Sequence, residues 1–286
     1  MGLYVPIGSD FRWQLSNEQG VRPTAAHGTL LTANATANTM SAWTQIFTAA
    51  QVVNDVYGVQ INFNNGASNN QIRNFLVNFG VDNTGGTAYD IKIPYLLASN
   101  ASPYTSNGSG IWYYFPLFIR AGSSIAMQMQ GSTGATTTNA YVTLFGQPRR
   151  PDAIRTGSKV ISFGESIAAS RGTAITMGTT AEGAWTQLGT AITQRLWWWQ
   201  LGYASNDSSM SAASIHLDLS AGNAANKKLL VEDAVVTTNT SEQISNLPVA
   251  VGSGGQVAIG DIIYGRAQSS GSADTTPNMM AWGLGG

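Results

Sequence analysis

Cysteine is absent from the 286 residues. No disulfide framework, zinc-thiolate site or cysteine nucleophile is possible, and the chain is compatible with folding in a reducing cytoplasm. Charge is scarce: 14 Lys and Arg face 15 Asp and Glu, only 10% of the chain, against about 25% in ordinary soluble domains. The net charge of −1 excludes a generally basic nucleic-acid binder and an acidic solvating tail. Histidine occurs twice, as His27 and His216. The N-terminal stretch lacks the basic start and long apolar core of a signal peptide. The longest nearly apolar run, Ile111 to Ile119, is broken by Pro116 and falls far short of the ~20 residues that span a bilayer. No membrane or nucleic-acid partner is expected.

What is present is neutral and polar. Thr, Ser, Asn and Gln together supply 91 residues, so they must build most of the surface. Apolar residues at 43% suffice for a sizeable core.

The chain repeats itself. His27-Gly28-Thr29 is echoed by Arg171-Gly172-Thr173, and Ala42-Trp43-Thr44-Gln45 by Ala184-Trp185-Thr186-Gln187. Tyr57 to Ile61 falls on Trp197 to Leu201, and Phe75 to Phe79 on Ile215 to Leu219. Ala98 to Ser102 meets Thr237 to Ser241. Phe115-Pro116-Leu117 through Ala126 meets Leu247-Pro248-Val249 through Ala258, and Thr137 to Gly146 meets Thr276 to Gly285. Seven matches in one order indicate two copies of one unit, fewer than a solenoid needs. The expected division is an N-terminal arm (1–20), a first domain (21–148), a basic linker (149–163) and a second domain (164–286).

Each copy reads as antiparallel β. Val59, Ile61 and Phe63 alternate with Gln60 and Asn62, Phe75, Val77 and Phe79 with Leu76 and Asn78, and Ile125, Met127 and Met129 with Ala126, Gln128 and Gln130; Val257 and Ile259 are expected to repeat the last pattern. Period two over four to eight residues predicts half-buried strands. Turn clusters such as Asn64-Asn65-Gly66 and Asp82-Asn83-Thr84-Gly85-Gly86 separate them. The one helical candidate is Ala49 to Val56. About eight strands per copy predict an all-β chain of two tandem, duplicated antiparallel β-sandwiches, jelly-roll-like, with an immunoglobulin-like sandwich as the alternative.

The residues offer little catalytic chemistry. The two histidines occupy unrelated places in the copies, and neither accompanies a Gly-x-Ser-x-Gly elbow. No phosphate-binding Gly-x-x-x-x-Gly-Lys-Ser/Thr loop occurs. No pair of acids recurs between the copies to suggest the two carboxylates of a glycoside hydrolase. No catalytic residue, metal site or cofactor is expected.

Candidate residues are therefore those of an interface. Tyr4, Phe11 and Trp13 belong to an apolar arm that needs cover, either as an edge strand of its own domain or on a neighbouring subunit. Arg149, Arg150, Arg155 and Lys159 form a basic strip, read as a solvated connector or as a dock for an acidic partner surface. Trp43 and Trp185 share one address and are expected in the core, with a repeated ligand platform as the alternative. Trp198 stands where the first copy has Gly58, on the face opposite Trp197 and Trp199. It anchors an interface, packs against the first domain, or offers a sugar platform.

The segment from Phe115 to Ala126, a Pro and an apolar strand leading through Ala121-Gly122-Ser123 into the next strand, resembles a hairpin of tailed-bacteriophage virion proteins. Leu247 to Ala258 is a looser example that lacks the counterpart of Arg120. The neutral surface and absent cysteine are similar to that group. The resemblance implies a non-enzymatic jelly-roll decoration (cement) protein on the capsid surface, made in the host cytoplasm and present in many copies. Its partners would be the major capsid protein or other virion proteins. A tail or fibre component that binds host glycan and a double-jelly-roll major capsid protein are the alternatives.

Overall fold

A computed structural model describes residues 13–17, 28–64, 73–100, 111–147, 156–205, 213–238, 249–251, 257–270 and 277–285. Among them the chain is all β, relieved by one 3-10 turn at Ile167–Ala169.

Among the described residues the first copy holds nine strands: β1 (Trp13–Ser16), β2 (Thr29–Thr32), β3 (Thr44–Phe47), β4 (Asp55–Asn64), β5 (Arg73–Asp82), β6 (Asp90–Asn100), β7 (Ile111–Phe115), β8 (Ser124–Gly131) and β9 (Thr137–Gln147). β2 pairs with β9, β3 with β8, β4 with β7 and β5 with β6. Two cross-pairings, β4 with β9 and β5 with β8, complete the sheets β2-β9-β4-β7 and β3-β8-β5-β6. That nesting is a long hairpin folded and rolled on itself, a jelly roll. β1 lies beside β2 on the same edge of β9.

The second copy runs β10 (Lys159–Phe163), β11 (Glu165–Ser166), β12 (Arg171–Ala174), β13 (Met177–Gly178), β14 (Thr186–Gln187), β15 (Leu196–Ser205), β16 (Ala213–Gly222), β17 (Lys227–Thr238), β18 (Val249–Val251), β19 (Ile262–Ser269) and β20 (Pro277–Gly285). Its sheets are β12-β20-β15-β18 and β14-β19-β16-β17. β10 joins the edge of β20, and β13 adds to β19 in parallel. The strand order repeats that of the first copy, so the duplication is one of architecture.

Alternation fills each sandwich. Phe75, Val77, Phe79 and Val81 of β5 face Val59, Ile61 and Phe63 of β4 in one core. In the second copy Ile215 stands in the place of Phe75. With Leu217, Leu219, Trp199, Leu201 and Tyr203 it builds the other core. At roughly 25 cal/mol per Å² of apolar surface removed from water, such side chains are the main driving force. A repeated bulge interrupts both copies. The register slips beyond Val77 and beyond Leu217. There Tyr95 and Asp233 each take φ 51°. Asn78 Oδ1 accepts the Tyr95 N–H, and Asp218 Oδ1 the Asp233 N–H, both at 2.8 Å.

Four expectations need correction. Ala49 to Val56 is not helical: Gln51 Oε1 caps the Thr48 N–H at 2.8 Å in a turn, and β4 begins at Asp55. The linker ends earlier than residue 163, because Lys159–Phe163 is β10. Lys159 stands opposite Gly285 as Trp13 stands opposite Gly146, so β10 is the counterpart of β1 in the second copy. The second hairpin is displaced. Val257 bridges Leu196 as Ile119 bridges Val56, so Val257 matches Ile119 and precedes the strand. Gly122 and Gly260 are then equivalent, with φ +80° and +96°, and donate to the matching carbonyls of Val52 and Ile192. Trp43 and Trp185 lie outside the cores, half-buried.

Candidate functional site

A buried apolar contact joins the two halves of the chain. β15 and β20 are apolar on both faces, as the runs Leu196-Trp197-Trp198-Trp199 and Met279-Met280-Ala281-Trp282 require. Their inner face carries Trp199, Leu201, Met279 and Ala281 into the second core. Their outer face carries Trp198, Ala204, Met280, Trp282 and Leu284 into the core cluster of the first domain. That face covers the open side between β6 and β7.

Trp282 is the centre of the contact and is fully buried. Its ring meets Tyr113 edge-on, with centroids 5.1 Å apart and planes at 78°. Its Nε1–H donates to the Pro94 carbonyl at 3.1 Å. Tyr113 in turn donates its hydroxyl to the Leu97 carbonyl; burial pushes its phenol well above the ordinary range. Gly202 makes room for the indole, since a Cβ there would lie 2.7 Å from the ring.

Polar contacts fix the register of the two bodies. Gln200 Nε2 donates to the Tyr114 carbonyl. Gln130 Nε2 donates to the Ile167 carbonyl at 2.6 Å and to Ser170 Oγ at 3.0 Å, and Ser170 Oγ donates to Asn38 Oδ1 at 2.7 Å. Backbone bonds tie Phe118 N–H to Gly157 O at 3.0 Å and Gly157 N–H to Pro116 O at 2.9 Å.

The copies differ at the equivalent addresses. Where the second has Trp198, Gly202 and Trp282, the register places Gly58, Asn62 and Thr143 in the first. Where the first has Leu76 and Leu97, fully buried under the second domain, the second has His216, partly exposed, and Val235, exposed.

The candidate interface residues fall as follows. Tyr4, Phe11, Arg149, Arg150 and Arg155 lie outside the described residues. Trp13 is half-buried against the first core, on a strand of its own domain. Lys159 is exposed and 4.0 Å from Asp90 Oδ1, a surface pair of little energetic weight. Trp198 is buried at 4% exposure and meets Tyr114 edge-on at 6.5 Å, so it packs against the first domain. Sequence reading missed Trp282; the signal available was an apolar strand with no polar face.

A second cluster sits on the outer face of β16 and β19. Arg266 pairs with Glu182 and, at 2.8 Å, with Asp218. Trp185 covers the guanidinium at 4.3 Å from its ring centroid, a cation–π contact. His216 Nδ1 lies 3.2 Å from Asp233 Oδ1. The ligand atoms of Glu182, Asp218 and Asp233 lie within 4.8 Å of one another. The Glu182 carboxyl is raised by burial first and by Asp218 and Asp233, against the lowering effect of Arg266. Arg266 already answers two of the three acids, so the arrangement is a charge network that fastens the 181–185 segment. In the first copy Trp43 instead lies over Gly80 and beside Tyr89, with ring centroids 5.3 Å apart.

Among the described residues, no helix is long and apolar enough to cross a membrane. No protein-family model and no curated protein matches the sequence. Among solved structures, the N-terminal CBM22-1–CBM22-2 tandem domain of Paenibacillus barcinonensis Xyn10C aligns over 96% of this chain and 97% of its own, at 12% identity and a TM-score of 0.28. A chain of the cowpea mosaic virus top component, a naturally occurring empty particle, aligns over 99% of this chain and 91% of its own, at 9% identity and a TM-score of 0.33. At these scores neither likeness bears on function; the jelly-roll assignment rests on the strand order itself.

Proposed function

We propose that this chain is a non-enzymatic structural protein of a virus particle, acting as a decoration (cement) protein on the head shell of a tailed phage. The observation that supports this reading best is the fusion of two jelly rolls through the Trp282-centred contact. A protein that braces a shell must pass force between its attachment points without a hinge. Two sandwiches sharing a buried apolar cluster meet that need; two beads on a flexible linker do not. The hairpin at Phe115 to Ala126 and the neutral Ser/Thr/Asn surface support the same reading.

In this reading the shell is engaged by the N-terminal residues with Tyr4 and Phe11 and by the basic strip of Arg149, Arg150, Arg155 and Lys159. Two weak contacts on one rigid body gain from multivalency. The test is co-sedimentation of purified protein with undecorated phage heads, with and without residues 2–12. The deletion stops at 12 because Trp13 begins a strand of the first sheet. Saturable binding that is lost on deletion supports the proposal. Spontaneous assembly of the pure protein into capsomers would make it a shell protein instead, and selective binding on a glycan array would make it a fibre component.

A further inference from the structure

β20 serves two cores at once. Its alternate residues Met279 and Ala281 enter the second core, while Met280, Trp282 and Leu284 enter the first. It is also the axis of its own sheet, flanked by β10 and β12 on one side and β15 on the other. Among the described strands it is the last in chain order. The described strands of the first sandwich therefore all precede in the chain the side chain that closes its β6–β7 side.

We propose that β20 is a clasp that makes completion of the first domain conditional on the second, so that the two jelly rolls fold and open as one cooperative unit. Without β20 seated, Tyr113 faces water at the open side of the first sandwich. With it seated, opening either domain must undo the contact around Trp282. A partly made chain then presents no finished first domain, and any surface that depends on that domain appears only when the whole chain has folded. This inference does not depend on the virion reading; it holds or fails for the isolated protein.

The experiment is native-state amide hydrogen exchange read by mass spectrometry on the full chain, comparing β5 in the first domain with β16 in the second. In the unaltered protein their slowest amides share one opening free energy. Leu217→Ala removes a fully buried side chain of the second core that takes no part in the first. It is expected to speed the slowest amides of β5 and β16 by the same factor, about 100-fold or more. Should that variant not accumulate, Ile263→Val trims the same core, with a shared acceleration of about threefold to tenfold. Acceleration confined to β16, with β5 unchanged in either variant, overturns the proposal. So does a slower, separate opening of β5 in the unaltered protein.

Discussion

Asn78 and Asp218 hold the same post in the two copies, each accepting the N–H of a bulged residue with positive φ on the next strand. The backbone there turns out of the ladder, and its donor has no other strand to meet. Asn78→Ala is therefore expected to destabilise by about 1–3 kcal/mol, the cost of a buried donor left unpaired. Asp218→Asn keeps the acceptor but abandons Arg266, so its loss should track that of Arg266→Met. Urea unfolding of the single and double variants checks this: the Asp218–Arg266 pair should show coupling, and Asn78 with Arg266 should not.

Trp282 and Gly202 form the second test. Trp282→Ala should cost about 3–5 kcal/mol, as large aromatic truncations in cores do. Gly202→Ala pushes a methyl into the indole and should cost about 1–3 kcal/mol by overpacking. The two together should be less than additive, because the smaller side chain makes room for the new methyl. Equality with the sum of the singles in denaturant titrations would contradict the contact as described.

The matched turns at Gly122 and Gly260 give a cleaner prediction. A Cβ at either position meets nothing within 4 Å, so only backbone conformation opposes a side chain. Gly122→Ala should cost about 1–2 kcal/mol, and Gly122→Asn should recover part of it, since Asn tolerates positive φ better. Gly28→Ala should cost more, because there the added carbon also strikes the Ala140 carbonyl. Thermal melts of the three variants rank them.

Acid stability should depend on Asp82. The Thr84 hydroxyl, then the Thr84 and Ala88 N–H groups, hold its carboxyl below the ordinary value of 3.8. A depressed carboxylate stabilises the fold above its ordinary pKa and loses that contribution as pH falls through the folded value. The urea midpoint should thus drop on acidification below about pH 4, and Asp82→Asn should flatten that drop. Glu182 works in the opposite sense, since its raised carboxyl favours the fold at low pH.

Much of this is legible in the residues. Period-two alternation and the ordered matches, such as Trp43-Thr44 with Trp185-Thr186, are enough for two β-sandwiches. The matches that slip do so for a physical reason. Gly254 and Gly260 both suit a turn after a Pro and an apolar strand, and only the pairing of Val257 with Leu196 decides between them. Ala49 to Val56 reads as a helical turn because it is a short apolar run, whose true conformation periodicity alone does not resolve. Size and repetition point Trp43 and Trp185 toward the core, but which face of a sheet is covered is a tertiary fact. Trp282 hides for the same reason: its counterpart is Thr143, so comparing the copies draws attention away from it. Tyr4, Phe11, Arg149, Arg150 and Arg155 lie outside the described residues, and their role rests on sequence alone.

The unequal faces of the two copies also set a limit on growth. A third unit appended in the same manner would need to rest on His216, Val235 and the charged edge of Lys227, Lys228, Glu232 and Asp233, where the first junction offers Leu76 and Leu97. Such an edge repels strand addition. Packing a further unit on this face as the second packs on the first would therefore demand new apolar substitutions on β16 and β17.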